Sequence, residues 1–85
     1  MPTISVFYGI TIMMHLRDKE HNPPHVHVFY GDEAATINIL NGELLEGYIH
    51  MKQMKLVREF INLHRDELLK MWNGEPYRRI EGLEK

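Results

Sequence analysis

The sequence predicts an α+β domain in which an antiparallel β-meander of about four strands packs on one long C-terminal α-helix. Three observations predict it. Residues 3–49 are rich in β-branched and aromatic side chains and are punctuated by the turn dipeptides Gly31-Asp32 and Asn41-Gly42. From Met51 the apolar spacing changes to steps of three and four, at Met54, Val57, Ile61, His64, Leu68 and Trp72, which is one face of a helix. Asn73-Gly74 followed by Pro76 then stops that helix. The chain of 85 residues is expected to be one domain, with strands over about 3–49, a helix over about 51–73 and a docked or mobile tail at 74–85.

The elements follow in order. TISVFYGITIMMHL reads as strand, with Gly9 marking a bulge or break and a clean strand near Ile10–Leu16. Residues 17–24 are charged and end in Asn-Pro-Pro, a loop whose pre-proline residues are held extended. His25–Tyr30, Ala34–Leu40 and Leu44–Ile49 are the next strands. If Gly31-Asp32 and Asn41-Gly42 are both two-residue turns, Val28 pairs with Ala35 and Val26 with Ile37. Ile37 then pairs with Glu46, Ile39 with Leu44 and Ala35 with Tyr48. Strand side chains alternate, so these residues share one face, and the helix is expected there. The opposite, polar face carries His25, His27, Thr36 and Asn38, joined by His15 if the first strand pairs with the second.

Composition narrows the function classes. The chain has no cysteine, which leaves histidine and carboxylates as the strong metal ligands. MPTISVFYGITIMMHL has neither the basic start nor the cleavage site of a signal peptide, and no apolar run approaches a membrane span. A cytoplasmic location fits. The net charge of −2 argues against a generic polyanion binder. The charge is uneven, however: seven of the ten basic residues, Lys52, Lys55, Arg58, Arg65, Lys70, Arg78 and Arg79, lie between 52 and 79, whereas the first 50 residues carry Arg17 and Lys19 against six acids.

HNPPHVH, residues 21–27, concentrates the chemistry. His25 and His27 stand at i and i+2 on a strand, so both imidazoles face one side, as two ligands of one ion would. His15 or His21, with Asp18 or Glu20, would complete a set for a divalent metal such as zinc. Against this stands a polar sheet face with imidazoles hydrogen-bonded to Thr36 and Asn38. Two histidines also suit acid–base catalysis, in a hydrolase or nuclease, yet there is no Ser or Cys beside a base, no HExxH and no phosphate fingerprint. An enzyme is therefore the less favoured reading. Lys52, Lys55 and Arg58 crowd the first two helical turns, where positive charge opposes the helix dipole, and they form a weak candidate for phosphate or nucleic acid. Leu56, Phe60 and Leu63 make a second apolar stripe, either covered by the tail through Tyr77, Ile80 and Leu83 or left as an interface for a partner protein or a second copy.

MPTISVFYGI, HNPPHVHVFYG, EAATINILNGELLEG and LVREFINLHRDELLKMW together resemble the bacterial family called domain of unknown function 4160. Its HNPPHxH segment is matched at His21, Asn22, Pro23, Pro24, His25 and His27. The family pattern often has Trp where Phe60 stands, and Phe keeps the aromatic character. The resemblance implies a stand-alone protein encoded beside another small protein, similar to a toxin–antitoxin or other two-gene module. A small cytosolic interaction or regulatory module with a partner from a neighbouring gene is the function expected. The alternative is a metal-binding or histidine-dependent hydrolase around His25 and His27.

Overall fold

The computed structural model describes residues 1–15 and 23–83. Five strands form one antiparallel sheet in sequence order: β1 (Thr3–Phe7), β2 (Ile10–Met13), β3 (His25–Tyr30), β4 (Glu33–Asn38) and β5 (Leu44–Tyr48). One helix follows, α1 (Met51–Trp72). The arrangement is the expected α+β meander with one strand more. Of the two expectations for Gly9, a bulge or a break, it is the break that is found. Tyr8 and Gly9 both take positive φ, 51° and 78°, and make a two-residue turn that pairs Phe7 with Ile10. Such a turn needs two left-handed residues; Gly9 takes its φ without steric cost, whereas Tyr8 bears the strain of a non-glycine residue there. Leu16, the expected end of β2, lies outside the described residues.

The β3–β4 register is as expected, with Val28 opposite Ala35 and Val26 opposite Ile37. The β4–β5 register is not. Asn38 N–H donates to the Glu43 carbonyl (2.9 Å), so the loop has Ile39 to Gly42 inside it and Asn41-Gly42 is not a two-residue turn. Two forces move the turn. Ile39 is fully buried, and the Asn38 side chain accepts from Leu40 N–H (2.7 Å), closing a local turn of its own. Ile37 therefore faces Leu44. Leu45 then bulges out, so that Glu46 faces Thr36, Gly47 faces Ala35 and Tyr48 faces Ala34. Gly47 permits this bulge: its φ is +84°, and a Cβ there would stand 2.2 Å from the Ala34 carbonyl oxygen.

Paired residues share a face, and one face is apolar throughout: Ile10, Ile12, Val26, Val28, Ala35 and Ile37 are buried against the helix. A bulge at Ile4 turns both Ile4 and Ser5 inward on β1. From the helix Met54, Val57, Phe60, Ile61, Leu68 and Met71 are buried, while His64 and Trp72, expected in the same stripe, are half-buried. The helix kinks at His64, whose φ of −120° and ψ of 21° are not helical. Two arginines tie it to the β4–β5 loop: Arg58 Nε donates to the Gly42 carbonyl (2.9 Å) and Arg65 Nε to that of Ile39 (2.8 Å).

The second apolar stripe splits. Phe60 is fully buried and stacks on Phe7 with ring centroids 5.0 Å apart, so it is core and no surface residue. Leu56 packs at the core margin, and Leu63 is 65% exposed. The tail docks on β1 instead: Ile80 N–H donates to the Ile4 carbonyl (2.8 Å), the Tyr77 hydroxyl to that of Thr3 (2.7 Å), and Ile80 is buried. Phe60→Ala should therefore cost about 3–5 kcal/mol, and Leu63→Ala less than about 0.5 kcal/mol. Chemical denaturation of the two variants checks this; equal costs would contradict the division of the stripe.

Candidate functional site

The sheet face away from the buried core is built in rows, because antiparallel partners stand side by side on one face. Met13, His27, Thr36 and Glu46 form one row across β2 to β5. Thr11, Phe29, Ala34 and Tyr48 form the next. Ala34 is small, and a shallow recess of about 200 Å³ opens over it between His27, Phe29, Thr36 and Glu46. Glu46 is the residue the sequence hid: the expected register put it on the helix side, and the Leu45 bulge delivers it to the histidine side. A glycine inside a strand, Gly47, was the signal that could have shown the bulge.

His25 and Asn38 pair with each other as expected, but both are buried rather than solvated. The His25 ring lies 4.9 Å from that of Trp72, so the end of the helix reaches it. Its Nδ1 is 2.9 Å from the Pro23 carbonyl. A carbonyl only accepts, so Nδ1 donates a proton to it. The prolines thus orient an imidazole as well as a strand entry. His27 stands edge-to-face between two other imidazoles, 5.2 Å from His25 and 5.4 Å from His15. Three of the four candidate metal ligands therefore form one chain of contacting rings. His21, with Asp18 and Glu20, lies outside the described residues. Among the described residues no three His, Asp or Glu side chains are grouped as a metal ion would require.

The helix start differs from a phosphate cradle. The N–H and Nδ1 of His50, the residue before the helix, contact the Glu33 carboxylate at 2.9 and 3.1 Å. A carboxylate of the chain itself thus holds that end, and it satisfies the local dipole that the first turn, with no acidic residue, leaves uncompensated. These hydrogen bonds, the ring contact first and the backbone contact second, hold the Glu33 carboxyl below its usual range. Glu67 is lowered likewise, chiefly by Arg78 (2.7 Å) and then by His64 (2.8 Å). Of the basic trio, Lys52 and Lys55 are exposed, and Arg58 is also exposed but engaged with Gly42.

The last feature is the edge. Every residue of β5 is exposed, Tyr48 by 58%, Leu44 by 44% and Leu45 by 42%. The opposite edge, β1, gives carbonyls to the tail.

These elements define a small α+β domain whose sheet is covered by a single helix and which presents a histidine-bearing face and an uncovered strand edge. A family model described as Domain of unknown function (DUF4160) matches residues 9–73, and the chain belongs to that family. Among curated proteins nothing matches, and among solved structures nothing matches.

The two lowered carboxyls set an acid limb of stability. Their folded values lie below the ordinary 4.5, so the stability they contribute is complete above that value and is lost as pH falls through the lowered ones. Thermal melts between about pH 5 and pH 3 should be flatter for Glu33→Gln with Glu67→Gln than for the parent chain. Identical slopes would contradict the pairing.

Proposed function

We propose that this protein is a small interaction module of the bacterial cytoplasm that binds a partner protein through the edge of its sheet. The observation that carries the reading is the asymmetry of the two edges. Unpaired strand edges are templates for another chain, and proteins usually blunt them. Here β1 is closed by the protein's own tail, whereas β5 shows Leu44, Leu45 and Tyr48 to solvent. Leu40 and Met51 flank it, 52% and 75% exposed, and enlarge the apolar surface beyond what scattered exposure explains. The sequence suggested the helix stripe for this role; with Phe60 in the core, β5 is the stronger surface. The two-gene arrangement implied by the family resemblance would supply the partner from the neighbouring gene. No helix among the described residues is long and apolar enough to cross a membrane, which is compatible with this reading.

Leu45→Lys and Tyr48→Lys should each weaken association with the neighbouring gene product at least tenfold, about 1.4 kcal/mol, while leaving the circular dichroism and melting of the chain nearly unchanged. Leu63→Asp should leave association intact. Folded β5 variants that still associate, or loss of association in Leu63→Asp, would move the interface to the helix.

A second reading is favoured by the contacting imidazoles of His15, His25 and His27. It assigns a divalent metal such as zinc to these histidines, which would have to regroup around the ion, since no three described side chains are grouped for one. Native mass spectrometry of the untagged chain with added zinc should then show one bound ion, lost in His27→Ala. An unmetallated parent chain, or a variant that keeps its metal, defeats this reading.

A further inference from the structure

The neighbourhood of β5 specifies what kind of chain would pair with it. Ile49 and His50 lead directly from Tyr48 into the helix, and Arg58 returns to Gly42 just before β5 begins. The first two turns of α1 are thus anchored beside β5 near both of its ends. Met51, Lys55 and Arg58 follow at i, i+4 and i+7, so they share one flank, and the Arg58–Gly42 bond shows that this flank looks toward β5. Lys52, about 100° round the helix from Met51, stands off that flank. Both lysines are exposed and neither has an ion pair among the described residues. Their charge works against the helix dipole, a local cost with no return inside the chain.

On the basis that β5 is a docking edge, we infer that it takes an extended acidic segment of a partner protein, added as a further strand with its carboxylates turned to Lys55. Main-chain hydrogen bonds to β5 supply the pairing, and alternate side chains supply the choice of partner. Carboxylates fit the helix side, where exposed Lys55 lies between Met51 and Arg58 on the helix surface. They do not fit the other side, where Glu46 and Tyr48 project. The segment therefore alternates acidic with apolar residues. A second copy of this chain fits less well. Its own β5 would bring Leu44 and Gly47 to the helix side, with no acid for Lys55, and a second Glu46 beside the first. A nucleic acid lacks the main-chain ladder that β5 offers, and Glu43 and Glu46 would repel its phosphates.

The test uses the full ¹⁵N-labelled chain and two probe peptides, Thr-Val-Glu-Val-Glu-Val-Thr and its twin with Lys in place of Glu, both capped. The acidic peptide should shift the amides of Leu44 to Tyr48 saturably, and the basic twin should bind about fivefold more weakly. Lys55→Glu should reverse that order; it remains folded, since a carboxylate near a helix start is favourable. If the basic twin binds β5 as well as the acidic peptide, the acidic preference is overturned while the docking edge stands. If neither peptide moves β5 at millimolar concentration, or a second copy already occupies β5 in the free chain, the inference is overturned. The docking edge itself is judged separately, by the Leu45→Lys and Tyr48→Lys variants with the natural partner.

Discussion

One helix can cover only one face of a five-stranded sheet, and most of this molecule is a consequence of that shortage. Strand side chains alternate, so every residue that turns toward the helix commits its neighbours to the other side. Val26 and Val28 are buried, and this sends His27 to the face away from the core and His25 to the rim, where Trp72 at the end of the helix meets it. Ile10 and Ile12 are buried, and this sends Thr11 and Met13 the same way. The histidine-bearing face is thus set by the hydrophobic pattern before any ligand is considered. The tail docks on β1, and among the described residues no element covers β5.

Much of this was legible in the sequence, and the misses have a common cause. Period-two alternation in β3 and β4, the Gly31-Asp32 turn and the change of period at Met51 each reflect a strong local preference, and the structure follows them. The misses are places where a tertiary contact outweighed a local signal. Asn41-Gly42 is a strong hairpin dipeptide, yet burial of Ile39 and the Asn38 side-chain turn widened the loop. Tyr8-Gly9 is an unusual turn pair because Tyr is rarely left-handed, so the sequence left a bulge and a break both open there. The helix has a broad apolar arc, and nothing local says which half is buried. Phe7, brought close by the Tyr8-Gly9 turn, selects Phe60.

For the site, sequence reasoning found the histidines and lost the carboxylate. His25, His27 and Thr36 lie in the expected register, because the β3–β4 pairing is regular. Glu46 reaches that face by a single bulge, and bulges are encoded weakly, here by one glycine whose missing Cβ avoids the Ala34 backbone. The basic cluster at the helix start has the opposite history. It stood out as a broken local rule, and the fold shows that its Arg58 is bound to the Gly42 carbonyl just before the exposed edge strand, while Glu33 holds the helix start.

The central claim is that β5 is an uncovered edge in the free protein. Amide hydrogen exchange of the isolated chain at neutral pH tests it most directly, since exchange reports local opening residue by residue. The account predicts that amides within Leu44 to Tyr48 exchange far faster than those of the central strand β3, and that Ile80, hydrogen-bonded to the closed edge, is protected. Protection of β5 equal to that of β3 would mean the edge is already covered, and would contradict the account.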